Sequence, residues 1–117
     1  MANSILRDKS KLFALRIIKL SHYLNDVKKE FVLSKQVLKS GTSIGANVRE
    51  AQYGQSKKDF VSKMSIALKE CVETLYWLEL LHESDILAQT QYESIYSDCC
   101  ELKNLLVSTV KTSKERT

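Results

Sequence analysis

The sequence predicts an all-α fold, an antiparallel up-down-up-down four-helix bundle, on three observations. The 117-residue chain has no proline and only three glycines, too few for the tight turns of β-sandwiches, barrels or βαβ folds. Apolar residues make up 44% of the chain, enough to bury a core. They recur at alternating spacings of four and three, in four segments joined by short links. Short links place consecutive helices antiparallel, within a single domain of residues 1–117.

The four helices are predicted at residues 5–29, 34–53, 57–83 and 91–113. Each carries one apolar stripe with a period of about 3.5, which is typical of helices packed almost parallel to one another. The stripes are Phe13, Ile17, Leu20, Leu24 and Val27 in the first helix, Val37, Gly41, Ile44, Val48 and Ala51 in the second, Phe60, Met64, Ala67, Cys71, Leu75 and Leu78 in the third, and Tyr92, Ile95, Cys99, Leu102 and Leu106 in the fourth.

Polar residues at the breaks between the stripes predict where the helices begin and end. Ser34 is expected to cap the second helix, and Gly54 to end it in the left-handed conformation. The segment from Ser56 to Asp59 resembles a capping box, so the Ser56 hydroxyl should accept a hydrogen bond from the Asp59 amide. Residues 90–93, TQYE, are the corresponding box predicted for the fourth helix.

The net charge of +4 is unevenly distributed along the chain. Residues 1–69 hold 14 basic and 5 acidic side chains, whereas residues 70–117 hold 4 basic and 9 acidic ones. Such asymmetry indicates either a face that binds a polyanion or complementary self-association, and charge alone does not choose between them.

The chain shows no segment suited to a membrane. Its longest uncharged run, residues 40–48, is far shorter than the roughly 20 apolar residues of a membrane-spanning helix. The first residues lack the apolar stretch of a signal peptide, and three cysteines, an odd number, are most simply reduced thiols of a cytoplasmic protein. Cys71 and Cys99 fall on core stripes, while Cys100 faces another direction.

Residues 40–51, together with residues 53–60, carry a resemblance to a known family. They resemble the small bacterial four-helix-bundle proteins encoded in intervening sequences of large-subunit ribosomal RNA genes, also labelled S23-like ribosomal proteins. The chain departs from the family at Gln55, where relatives often carry a basic residue. The family pattern is met by Ser43, Ile44, Asn47, Val48, Glu50, Ala51, Ser56, Asp59 and Phe60.

This resemblance implies a bundle that assembles as a homopentameric ring. Related family members are the accessory variability proteins of diversity-generating retroelements, whose pentamers bind a reverse transcriptase and nucleic acid through basic surfaces. For this chain the resemblance therefore implies RNA or DNA, and a protein partner, as binding partners. The activity of ordinary members of the family is undefined.

Basic side chains in the first two-thirds of the chain are the candidate nucleic-acid contacts. Each phosphate that they neutralise would release counterions, so binding would depend on salt and tolerate many sequences. The alternative is an ordinary solvated face. The candidates are Arg16, Lys35, Lys39, Arg49, Lys57, Lys58 and Lys63.

Other residues of the segment receive structural predictions. Gly41 and Gly45 should allow close helix approach, within the bundle or across a subunit boundary, because glycine inside a helix otherwise costs roughly 0.5–1 kcal/mol relative to alanine. Asn47 and Glu50 are expected to make structural hydrogen bonds rather than act as an acid–base pair. With these four, Ser56, Asp59 and Phe60 complete the predicted structural motif.

Tyr76 and Trp77 lie beside the stripe of the third helix. A subunit interface and a wide internal core are equally consistent with that position.

Enzyme chemistry finds little support in the sequence. The segment from Glu79 to His82 matches the Glu-x-x-His of di-iron bundles, but the only other histidine, His22, has Lys19 three residues before it. We therefore expect no enzyme, no cofactor, no metal and no small-molecule substrate. The predicted function is an oligomeric scaffold that binds nucleic acid, and the alternative is an interaction module whose charge asymmetry serves self-assembly alone.

Overall fold

The computed structural model describes residues 2–115, with side chains from residue 4 onward. It contains four helices, α1 (Ala2–Asp26), α2 (Val32–Ala51), α3 (Lys57–Glu83) and α4 (Gln89–Glu115), and no strand within that range. Each helix packs on its neighbours in sequence, and α1 closes the bundle against α4, whereas the backbones of the diagonal pairs α1–α3 and α2–α4 do not approach closely. The bundle measures 47 × 21 × 20 Å. The predicted four-helix bundle is confirmed.

The apolar stripes form one continuous core along the bundle axis. Ile17, Ile44 and Leu78 are fully buried, as the helical spacing predicts. Phe60 and Tyr92 are half-buried, and Val27 is exposed at 62%, because α1 ends at Asp26, before this residue. No helix within residues 2–115 is long and apolar enough to cross a membrane.

Buried hydroxyl groups connect α2 to both of its neighbours. The Ser21 and Ser34 oxygens lie 2.9 Å apart between α1 and α2. The Thr74 hydroxyl of α3 lies 2.8 Å from the hydroxyl of Ser40 on α2. A buried polar group is costly unless it is paired, so these pairs favour one register of α2 against α1 and α3.

The start of α2 differs from the prediction. The helix begins at Val32, and Ser34 is not its cap but a buried residue bonded to Ser21. The Glu30 carboxylate accepts hydrogen bonds from the amides of Leu33, at 2.6 Å, and Ser34, at 3.1 Å. An acidic side chain upstream therefore satisfies the first amides, which frees the serine hydroxyl for the core.

The left-handed conformation predicted for Gly54 is wrong. No glycine in the described range has a positive φ. Instead α2 ends in a tightening turn, in which the Gly54 amide donates to the Ala51 carbonyl at 3.1 Å. The left-handed positions are Lys29, with φ of 55°, and Asp85, with φ of 63°, in the links after α1 and α3.

The capping box predicted at Thr90 is also wrong, because α4 begins at Gln89, two residues before the predicted start at residue 91, and Thr90 lies within its first turn. The first turn instead has the amide of Ala88 donating to the side-chain oxygen of Gln91 at 3.4 Å. Before it, α3 ends in a Schellman motif, in which the amides of Asp85 and Ile86 donate to carbonyls of the last turn. That motif sets where the chain re-enters the bundle and therefore where α4 begins.

Candidate nucleic-acid interface

The turn between α2 and α3 is fixed by the predicted cap. The Ser56 hydroxyl accepts from the Asp59 amide at 3.0 Å, which confirms that hydrogen bond. The Asp59 carboxylate in turn accepts from the Gln55 amide at 3.2 Å. This closed turn places Lys57 and Lys58 on the exposed first turn of α3.

Asn47 and Glu50 point to different partners. The Asn47 amide donates to the Ser43 carbonyl of its own helix at 2.9 Å. The Glu50 carboxylate accepts from the Lys63 ammonium at 3.0 Å, which joins α2 to α3. The two side chains form hydrogen bonds within the bundle and do not face each other, while Phe60 packs half-buried against the core.

The two glycines of α2 lie against α1. A Cβ atom added at Gly41 would stand 2.8 Å from the Cγ1 and Cγ2 atoms of Ile17. One added at Gly45 would stand 3.3 Å from the Ser10 hydroxyl oxygen. The close approach is therefore between helices of one chain, and it is tightest at Gly41.

Two of the predicted nucleic-acid contacts are engaged within the bundle. Arg16 on α1 forms an ion pair with Asp98 on α4 at 2.6 Å, and its guanidinium also donates to Ser94. Lys63 forms the ion pair with Glu50. A carboxylate offsets the charge of each of these cations, so both are weaker candidates for phosphate contact than the sequence indicates.

Three other predicted contacts lie together on one exposed face of α2. Lys35, Lys39 and Arg49 all point away from the core, and they span about 21 Å at 1.5 Å per residue. Within residues 2–115 no carboxylate forms an ion pair with any of them. We call these three residues the α2 basic stripe.

Arg7 and Lys11 are basic residues that the sequence analysis missed. Both are exposed on α1, and both line a groove of about 270 Å³ between α1 and α2, opposite Arg49. Their spacing of four along α1 could have indicated a common face. Their position opposite Arg49 depends on the register of two antiparallel helices, which the sequence does not supply.

The two aromatic residues predicted at an interface or in a wide core differ in burial. Trp77 packs half-buried against the core of its own chain, and its indole nitrogen donates to Glu73 at 3.0 Å. Tyr76 is 53% exposed beside it. Part of the Trp77 side chain is therefore buried within its own chain. The subunit interface stays a prediction.

Glu79 and His82, the residues of the Glu-x-x-His match, contact tyrosines of α4. The Glu79 carboxylate accepts from the Tyr96 hydroxyl at 2.8 Å, which raises the pKa of Tyr96. The His82 ring stacks on Tyr92 with ring centroids 4.2 Å apart. In the described part of the chain, no three potential metal ligands come together.

The cysteines on the core stripes face each other across α3 and α4. The sulfur atoms of Cys71 and Cys99 lie 3.7 Å apart, and both residues are fully buried. Their mutual hydrogen bond, together with burial, raises the pKa of the Cys99 thiol. Cys100 is half-buried.

Comparison with known proteins identifies the family. The family model described as 23S rRNA-intervening sequence protein matches residues 2–108. The chain belongs to this family. A solved structure of similar shape is a crystal structure from Bacteroides thetaiotaomicron VPI-5482, described as a protein with unknown function from the S23 ribosomal protein family. It is 52% identical in sequence to this chain, the match covers 95% of this chain and 99% of that one, and the two superimpose with a TM-score of 0.93.

These relatives place the fold in a family without giving it an activity. Neither description names an enzymatic reaction. Comparison of the chain with curated proteins gave no match.

Proposed function

We propose that the protein is a non-enzymatic oligomeric scaffold that binds the phosphate backbone of RNA or DNA through the α2 basic stripe. One observation carries this proposal: Lys35, Lys39 and Arg49 share an exposed face, and no carboxylate in residues 2–115 pairs with them. Cations arranged along a helix suit a polyanion whose charges also lie along a line. Contacts of this kind tolerate many sequences and weaken with salt.

Two further lysines extend the proposed surface past the turn. Arg49 lies in the last turn of α2, and the cap at Ser56 keeps Lys57 and Lys58 at the start of α3, at the same end of the bundle. A backbone bound along the stripe would therefore meet additional positive charge at that end.

Assembly would strengthen such weak contacts. We propose the homopentamer implied by the resemblance, because five copies of one stripe in a ring would multiply the affinity of each. A protein partner, for which a reverse transcriptase is the example in retroelement relatives, and a cytoplasmic location belong to the same proposal. Light scattering tests the assembly, with an expected mass five times that of one chain; the mass of a monomer would contradict it.

The second candidate is an interaction module that self-assembles without binding nucleic acid. Its support is apolar exposure on two outward faces, at Leu12 and Leu15 of α1 and at Val72 and Tyr76 of α3. These two patches lie on helices that are not neighbours in the bundle. Two different patches on one chain are suited to head-to-tail contacts, which generate rings.

A pair of single substitutions tests the proposed surface. Lys39→Ala removes an exposed cation of the stripe, whereas Lys63→Ala removes a cation that is paired with Glu50. We expect Lys39→Ala to weaken oligonucleotide binding severalfold and to reduce the slope of log K against log salt by about one. Lys63→Ala, with the same change in net charge, should leave both nearly unchanged. Fluorescence anisotropy measures both, and equal losses in the two variants would contradict the assignment.

A further inference from the structure

The α1–α2 groove, the concavity between the first half of α1 and the second half of α2, is lined in part by small residues. Among them Ser10 is buried, Gly45 is half-buried and Ala46 is exposed, and the groove volume is about 270 Å³. Gly45 has no side chain, and the Ser10 hydroxyl packs against it. A Cβ atom added at Gly45 would stand only 3.3 Å from the Ser10 hydroxyl oxygen. The result is a recess with room for several water molecules at a point where two helices pack closely.

The rim of the α1–α2 groove is basic on both sides. Arg7 and Lys11 come from α1 and Arg49 comes from α2, and no carboxylate is among the residues that line the groove. Asp8 accepts from the Arg7 Nε at 3.3 Å, which leaves the two terminal guanidinium nitrogens for another ligand. Guanidinium groups pair with phosphate through two parallel hydrogen bonds, and a concave wall of one charge concentrates the field.

The groove between α1 and α4 provides a contrast within the same molecule. It is larger, at about 440 Å³, and it also contains basic residues, among them Lys9 and Arg16. There, however, Glu101 pairs with Lys9 at 3.1 Å and Asp98 pairs with Arg16 at 2.6 Å. Of these two grooves, the α1–α4 groove is lined by acidic partners of its cations, whereas the α1–α2 groove is not.

We infer that the α1–α2 groove seats a phosphate and the adjoining nucleoside of a single nucleic-acid strand, and that it makes the protein prefer single strands to duplexes. This inference rests on the proposed function and assigns its substrate class. Arg49 belongs both to the groove and to the α2 basic stripe, so a strand on the stripe leads directly into the recess. A single strand can turn an unpaired base, with its sugar and phosphate, into the recess, whereas a duplex keeps its bases paired inside and presents only its outer backbone.

A groove-filling substitution tests this inference without changing charge. Ala46 is exposed, so Ala46→Leu should fold and occupy the recess, and Ser108→Leu on the exposed face of α4 is the matched control. The probes are a fluorescein-labelled oligodeoxyuridylate, the corresponding oligouridylate, and a duplex of the same length, in one buffer. We expect wild type to bind the single strands more tightly than the duplex. Ala46→Leu should weaken single-strand binding about tenfold and leave duplex binding unchanged.

The outcomes separate this inference from the proposed function. Equal binding of strand and duplex by wild type, or unchanged single-strand binding by Ala46→Leu, would overturn the groove and leave backbone binding by the stripe intact. Absence of salt-dependent binding to every probe would overturn both. Should Ala46→Leu fail to fold by circular dichroism, Lys11→Glu supplies the same comparison from the exposed rim, with selective loss of single-strand affinity as the expected result. The DNA and RNA strands distinguish which sugar the recess accepts.

Discussion

Reversing all three charges of the α2 basic stripe, as Lys35→Glu, Lys39→Glu and Arg49→Glu, is expected to lower nucleic-acid affinity by about a hundredfold or more at low salt. Each change removes a phosphate contact and adds a repulsive carboxylate, so the salt dependence of binding should largely disappear. The three positions are exposed on α2, so the helical fold should persist. Fluorescence anisotropy gives the affinity, and circular dichroism verifies the fold.

The matched control reverses Lys69, Lys103 and Lys111 to Glu, which changes the net charge equally on α3 and α4. This variant should retain most of the affinity. If both triple variants lost affinity to the same extent, net charge rather than the stripe would be responsible. Light scattering of the stripe variant decides the second candidate: a dissociated oligomer with unchanged affinity would favour self-assembly over nucleic-acid binding.

Gly41→Ala is expected to lower the free energy of unfolding by about 1–2 kcal/mol. The added Cβ would stand 2.8 Å from two carbon atoms of Ile17, a β-branched residue with one strongly preferred rotamer in a helix. Overpacking of this kind costs about 1–3 kcal/mol, which exceeds the roughly 0.5–1 kcal/mol that alanine gains over glycine within a helix. Urea denaturation measures the difference.

Gly45→Ala is the matched control for that substitution. Its Cβ would meet the Ser10 hydroxyl oxygen at 3.3 Å, which requires a shift of only a few tenths of an ångström. The gain in helix propensity should offset this strain, so stability should change little. If Gly41→Ala were as stable as wild type, the close packing of α1 on α2 at Ile17 would be contradicted.

The core of the bundle could be predicted from the sequence because burial follows helical spacing. Ile17, Ile44 and Leu78 are buried where the period places them. Val27 fits the same period but lies beyond the end of α1, and periodicity carries no information about where a helix stops. The fold class was therefore predictable from the sequence, whereas the residue at which α1 ends was not.

Helix ends were predictable only where the capping partners are neighbours in sequence. The Ser56 hydroxyl accepts from the Asp59 amide one turn later, and the structure has that hydrogen bond. Ser34 also looks like a cap, but its hydroxyl is required by Ser21, 13 residues away. A long-range partner of this kind overrides a local signal, and a single sequence does not reveal it.

The same distinction explains the candidate site. Basic residues are visible in the sequence, but their partners are not, because Arg16 and Asp98 are 82 positions apart. The sequence therefore does not distinguish paired from unpaired cations. Arg7 and Lys11 become part of the site only through the register of α1 against α2, which the sequence does not contain.

The salt dependence of nucleic-acid binding by the wild-type protein tests the central claim most directly. With three stripe cations on single-stranded phosphates, the logarithm of the binding constant should fall linearly with the logarithm of salt concentration, with a slope of about −2 or steeper. Binding to unrelated sequences should follow the same line. No binding at low salt, or binding that salt does not weaken, would contradict the account.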